Sequence, residues 1–301
     1  MFSTRALGIA GTAAAFLALA PALAASADSD HELDDHGRDG PVLEGRAVLA
    51  AETYAPGPQS GAFFAGQTIN GVKFPTPSQP AIGYSGIVDG RSPGEYLAMP
   101  DNGYGNKLNS FDFELRAYYI NPDFKTANGG TGSVVVGDYI AFSDPNHQAG
   151  FPIVRANTDR LLTGADFDPE SIQRDHNGDL WLGDEFGPWI LHFSAEGVLL
   201  EPPIAMPDGL VSPANPKLAD PTKATVAGSR GLEGMAISPN GKTLTFILEG
   251  AVVGAPDAFS RRIYQYDIAT GDFTRLADYR TEVAGHFVSD VQALWRFSPN
   301  H

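Results

Sequence analysis

The chain has 301 residues, with 36 Asp and Glu against 20 Lys and Arg, a formal net charge of −16, and no cysteine. That length is ample for one large core or two small ones, so size excludes little. The charge repels nucleic acid and anionic membrane surfaces and favours cations; a small anionic substrate would need a bound metal or a local basic patch. Disulfides, thiolate metal ligands and cysteine nucleophiles are all excluded.

In chain order, residues 1–27 read as a secretory signal. Arg5 supplies the positive start, "ALGIAGTAAAFLALA" the apolar stretch, and "ALA" or "ASA" the small-residue cleavage site. The mature protein is then secreted or periplasmic, free of the membrane, and its charge becomes about −17 once Arg5 is gone. Residues 28–40, "DSDHELDDHGRDG", are almost devoid of apolar side chains and predict a disordered acidic linker. His31 and His36 stand among acids there, but nothing imposes a ligand geometry on them. Residues 41–77 carry "RAVLAAETYA" and "GAFFAGQTI", a lead-in of one or two strands.

From 78 to 301 short apolar runs alternate with turn dipeptides. Asn177-Gly178, Glu196-Gly197, Asn240-Gly241 and Thr270-Gly271 each divide two strand-like runs and predict hairpins. "NSFDFELRAYYINPDF" reads as two strands, and "GGTGSVVVGDYIAFSD" as a strand pair about Gly137-Asp138. With 34 Gly and 23 Pro the class is all-β. "YSGIVDGRSPGEYLAMPDNG", "PESIQRDHNGDLWLGDEFG" and "LEGMAISPNGKTLTFILEG" share one plan: a small or acidic residue, a strand, a turn, a second strand, an acid and Gly. Such repetition predicts a β-propeller of antiparallel meander blades, each burying its faces against its neighbours. A further repeat starts at "VSDVQAL", eleven residues before the end of the sequence, so the propeller is expected to be incomplete, a truncated reading of a longer protein.

The first strand of each propeller blade lines the central channel, so Glu170, Glu233 and Asp290, at matching points of their repeats, are expected to converge. Unit charges about 4 Å apart repel by about 4 kcal/mol at an effective dielectric near 20, so they need protons, arginine or a hard cation. Carboxylates in a flexible oxygen cage suit Ca²⁺ better than zinc. Asp101, Asp184, Glu185 and Glu249, at the ends of second strands, extend the acidic rim; as residues beside glycine they also read as turn formers. Asp101 and Glu249 are assigned to the metal with Glu170, Glu233 and Asp290. Asp184 and Glu185 are left to accept a proton. Arg230, three residues before Glu233, is placed to pair with that glutamate or to grip an anionic substrate with its planar fork.

Other patterns read as structure. "RDHNGD" spaces oxygens like a calcium loop, but its glycine is misplaced and its twelfth position is Phe186, so a hairpin turn is expected. "GYSGI" lacks the spacing of a nucleophile elbow, His192 alternates with apolar residues like a strand histidine, and Trp181, Trp189 and Phe186 read as packing between blades.

The stretches "DFDPESIQRDHNGDLWLGDEFGPWILHFSAEG" and "GSRGLEGMAISPNGKTLTFILEG" are similar to the phytase-like family, described as having esterase-like activity of phytase, in its secreted bacterial form. The likeness extends over about residues 78–296, and the chain departs from the family's pattern in stopping before its final blades. It implies a propeller and a phosphoester-directed activity carried by Glu170, Asp184, Glu185, Arg230, Glu233 and Asp290. The leading expectation is a secreted, calcium-dependent phosphoric ester hydrolase acting on a small phosphorylated substrate. The rivals are a non-catalytic calcium-stabilised binding module and a lactonase-like, sugar-directed hydrolase.

Overall fold

A computed structural model describes residues 42–293; the signal, linker and terminal residues read above at 1–41 and 294–301 lie outside them. The chain is a β-propeller built from antiparallel meanders. Blade 1 is β1 (Tyr84–Asp89), β2 (Tyr96–Pro100), β3 (Arg116–Asp123) and β4 (Ser133–Ala141). Blade 2 is β5 (Pro169–Arg174), β6 (Leu180–Asp184), β7 (Trp189–Phe193) and β8 (Ile204–Ala205). Blade 3 is β9 (Leu232–Ile237), β10 (Thr243–Leu248), β11 (Ser260–Asp267) and β12 (Phe273–Arg280). In each sheet the strands pair in sequence order, and β5 packs between β1 and β9.

All four expected hairpins form, with Gly178, Gly197, Gly241 and Gly271 at φ of 93°, 85°, 67° and 75°. Two expectations are corrected. "NSFDFELRAYYINPDF" yields only β3, because its first half is a loop whose Asp112 carboxylate accepts the Gly61 and Ala62 N–H groups at 2.9 and 2.8 Å. "GGTGSVVVGDYIAFSD" is one long strand, and Gly137-Asp138 is a bulge within it rather than a turn, since pairing to β3 resumes at Tyr139. The lead-in forms several two-residue strands, among them Tyr54–Ala55 paired to Gln79–Pro80.

Strand alternation explains the core. In blade 2, Leu180, Leu182, Trp189, Leu191 and Phe193 face blade 1, where they meet Leu97, Met99 and Phe142. Trp181 and Ile190, on the opposite face, join Met235, Leu244, Phe246 and Tyr264 of blade 3. A sheet buried on both sides needs apolar residues at consecutive positions, as in Leu180-Trp181-Leu182 and Trp189-Ile190-Leu191, and the polar alternate His192 stacks on Trp181. The blades touch closely near their inner strands: a Cβ on Gly86 would lie 3.0 Å from the Ile172 backbone nitrogen. Gly86→Val should therefore cost about 1–3 kcal/mol by forcing blades 1 and 2 apart. Leu276→Ala, at a site 50% exposed on β12, should change stability by less than about 0.5 kcal/mol. Urea unfolding of the two variants checks both values.

Candidate functional site

Every inner strand carries a β-bulge at the same place. Pairing skips Ser85 between Tyr84↔Pro100 and Gly86↔Met99, Glu170 between Pro169↔Asp184 and Ser171↔Gly183, and Glu233 between Leu232↔Leu248 and Gly234↔Ile247. A bulge leaves one residue without a cross-strand partner and re-aims its side chain. Just beyond each second strand, the N–H of Asp101, Glu185 and Glu249 donates to the carbonyl of Gly83, Asp168 and Gly231 at 3.3, 3.0 and 3.1 Å. The true repeat thus pairs a bulge residue with an acid that follows the second strand, and Glu185 rather than Asp184 is the counterpart of Asp101 and Glu249.

These positions converge on a cavity of about 170 Å³ walled by Asp101, Asn102, Gly105, Asp168, Glu170, Glu185, Ser229, Arg230, Glu233 and Glu249. Within it, one oxygen from each of Asp168, Glu170 and Glu185 lies within 4.8 Å of the others, and so do oxygens of Glu185, Glu233 and Glu249. Glu185 belongs to both groups. It is 4% exposed; its Oε1 accepts the Gly231 N–H at 3.1 Å, and its Oε2 has no hydrogen-bond partner among the described residues. Asp168, which the sequence reading did not assign, accepts from the Asn102 N–H at 3.3 Å. Its signal was available: it stands two residues before Glu170, where the other blades have Gly83 and Gly231.

Three expected residues are placed differently. Asp184 is wholly buried and does not wall the cavity. Its Oδ1 accepts the Asp168 N–H at 2.8 Å and its Oδ2 the Gly187 N–H at 2.7 Å, so it braces the turn beneath the site. Asp290 is exposed and does not join the acids, its carboxylate bonding the Val291 N–H at 2.7 Å and Gln292 Nε2 at 3.1 Å. Its backbone lies against Gly234 as that of Ser171 lies against Gly86, which aligns Asp290 with Ser171, one residue past the bulge position that Glu170 occupies. Arg230 pairs with Glu249, at 2.9 Å, rather than with Glu233, and its guanidinium sits 3.8 Å over the Phe287 ring.

Burial pushes the cavity carboxyls upward in pKa, and like charges add to it: Glu185 to about 8, with Asp168 and Glu233 behind the second effect, and Glu233 to about 7, with Glu249 its main like-charged neighbour. Asp168 rises through burial and the charges of Asp184 and Asp101, against a hydrogen bond from Glu170 that works downward, and Glu170 rises through burial and the charges of Asp168 and Glu233. Only Arg230 forms an ion pair with any of these acids among the described residues.

The donors fit a hard cation. They are all carboxylate oxygens, and two oxygens on opposite sides of Ca²⁺ at about 2.3–2.6 Å stand about 4.6–5.2 Å apart, so oxygens that all lie within 4.8 Å of one another can share one ion. A second cluster, Asp175, Asp179 and His192, lies apart from this cavity at the hairpin of blade 2, where Asp175 caps the turn and accepts from Trp181 Nε1 at 3.1 Å.

The raised pKa values set the sign of a pH dependence. From about 4.5, the ordinary glutamate value, up to about 8, the folded metal-free protein keeps protons that the unfolded chain releases, so stability falls as pH rises through that window. Scanning calorimetry in EDTA should show Tm falling by roughly 5 °C or more between about pH 5 and 8, since about 1 kcal/mol moves Tm by about 2–4 °C at this size. A flat profile would mean that the acids are already ionised and compensated.

A family model described as phytase-like, esterase-like activity of phytase, matches residues 79–296. An uncharacterized secreted protein of Arthroderma benhamiae is 32% identical over 124 residues, which cover 34% of this chain and 24% of that protein. The chain thus matches about a quarter of the length of that curated relative, which is fungal, so the likeness is not confined to bacteria. Among solved structures, an ancestral GH74 enzyme gives a TM-score of 0.32 at 16% identity, over 67% of this chain and 20% of its own. The Dos1 propeller gives 0.30 at 10% identity, over 69% and 38%. The family model spans most of the sequence, and this chain belongs to the phytase-like family, that of the esterase-like activity of phytase.

Proposed function

We propose that the chain carries the metal-binding site of an exported, calcium-dependent phosphoric ester hydrolase that takes small phosphorylated substrates. The observation behind this reading is the pair of carboxylate groups that share Glu185 in one cavity. Asp168, Glu170, Glu185, Glu233 and Glu249 would hold the cation, with Asp101 beside them in the wall. When bound, Ca²⁺ supplies positive charge toward phosphate oxygens and lowers the pKa of water. The protein's own part is to hold the acids close, to shelter them from solvent and to reverse its field locally, without which an anion would be repelled. Arg230 keeps Nη1 on Glu249, and its Nε and Nη2 have no hydrogen-bond partners among the described residues, which leaves them able to receive phosphate oxygens. Of the two acids expected to accept a proton, Asp184 has both oxygens held by backbone N–H groups, and Glu185 leaves Oε2 unbonded at the cavity wall, where it would serve as a cation ligand. The signal read at residues 1–27 and the secreted relative support an extracytoplasmic location.

Calorimetry with CaCl₂ should show binding to the wild type and at least a tenfold loss in Glu170→Gln/Glu233→Gln. Phosphate release from p-nitrophenyl phosphate should stop in EDTA and return with calcium. Chelator-insensitive release argues against the metal, and calcium binding without turnover of phosphoesters or lactones favours a binding module. Glu185→Gln should lower kcat by about 100-fold or more, with weaker calcium binding, because it removes the carboxylate common to both groups. Asp184→Asn should instead cost about 1–3 kcal/mol in urea unfolding, because its amide cannot accept from both N–H groups.

A further inference from the structure

The hairpin of blade 2 carries a side-chain cluster that the phosphoester reading does not use. It lies at the opposite end of β5 and β6 from Glu170 and Glu185. Asp175 follows β5, Asp179 precedes β6, and His192 comes from β7, where it stands across the sheet from Trp181. One oxygen of each aspartate and one ring nitrogen of His192 lie within 4.8 Å of one another.

The histidine is held in one orientation. Its ring stacks on Trp181, with centroids 3.8 Å apart and planes 9° from parallel, and its Nδ1 stands 2.8 Å from Glu201 Oε1. An ionised carboxylate only accepts, so Nδ1 carries the proton, and in a neutral imidazole the lone pair then belongs to Nε2. Nε2 is closed off from solvent and has no hydrogen-bond partner among the described residues. It faces Asp179 Oδ2 at 3.5 Å, beyond the usual N–H···O range of about 2.7–3.2 Å. The Asp179 carboxylate accepts no hydrogen bond among the described residues, so two electron-pair donors face each other. Ligands about 2.0–2.2 Å from a tetrahedral ion stand about 3.3–3.6 Å apart, and the Nε2 to Oδ2 separation falls in that range. Asp175 is fixed at the turn and keeps room for a further bond. Its Oδ1 accepts the Asn177 and Asp179 N–H groups at 2.8 and 3.1 Å, but its Oδ2 accepts only Trp181 Nε1, at 3.1 Å, and a carboxylate oxygen has two lone pairs.

We propose that Asp175, Asp179 and His192 form a second metal site, for a first-row divalent ion such as Zn²⁺, with Glu201 orienting the histidine from behind. A carboxylate on the far ring nitrogen is the usual support of a metal-ligating histidine, since it fixes both tautomer and ring plane. Mixed imidazole and carboxylate ligands suit zinc better than the all-carboxylate cavity does. Three protein ligands leave a fourth position to water. An ion here ties β7 to the hairpin between β5 and β6. The proposal is independent of the phosphoester reading, because the site shares no residue with the cavity.

The test is calorimetric titration of the full chain with ZnCl₂. It is run on the wild type and on Glu170→Gln/Glu233→Gln, whose cavity is impaired, and each background then receives His192→Gln, Asp179→Asn or Glu201→Gln. Asp179→Asn guards against a folding defect in His192→Gln, because no hydrogen bond of the described residues depends on the Asp179 carboxylate. The expected result is zinc binding by both backgrounds, weakened by roughly tenfold or more in each of the three variants. Co²⁺ in place of zinc should give the visible absorption of a four-coordinate ion, lost in the same variants. Zinc affinity left unchanged by any of the three substitutions, or zinc binding that disappears with the cavity acids, overturns the proposal. So does a wild type that binds no zinc, which would make His192 an imidazolium clamped between Asp179 and Glu201.

Discussion

Five carboxylates, three buried and two half-buried, cannot all carry charge in one small cavity, and that constraint shapes this end of the molecule. Two unit charges about 5 Å apart repel by about 3 kcal/mol even at an effective dielectric near 20, and each acid here has several such neighbours. Burial first, and this repulsion second, make the acids keep protons when no cation is bound, which is why their pKa values stand above the usual carboxylate range. Protonation and cation binding are thus competing answers to one electrostatic problem, and the solution pH selects between them.

The backbone brings the acids together by repeating one device. A bulge places a side chain without a strand partner, and a short return beyond the second strand places another within reach of it. Blade 2 contributes most because it has acids at both positions and at Asp168, where its neighbours have glycine. Blade 1 has Ser85 at the bulge and gives only Asp101. The apolar layers on both faces of blade 2 hold this arrangement against the repulsion it creates. Asp184 fits that picture as a brace: its oxygens fix the N–H groups of Asp168 and Gly187 at the turn that presents Glu185.

Cations enter the site by a different rule. Arg230, in the cavity wall, pairs with Glu249 and rests on the ring of Phe287. An aromatic face attracts a cation without taking all of its hydrogen-bond donors, so the charge remains available to a ligand. The overall charge of −16 would keep an anionic substrate away, and such local reversals are what make a phosphorylated ligand compatible with the protein.

The sequence by itself determined the class of fold, the hairpins and the repeat, because turn glycines and strand alternation are local signals that neighbouring residues can satisfy alone. It also marked Glu170 and Glu233 as equivalent. It could not show that the repeat position after the second strand belongs to Glu185 and not Asp184, since a bulge shifts the register by one residue without altering the apolar pattern. The pairing of Arg230 with Glu249, the outward turn of Asp290, and the place of Asp168 were decided by tertiary structure. Each depends on which side chains from separate blades or loops come within a few ångströms, and electrostatic partnership is set by that distance and by burial rather than by separation along the chain.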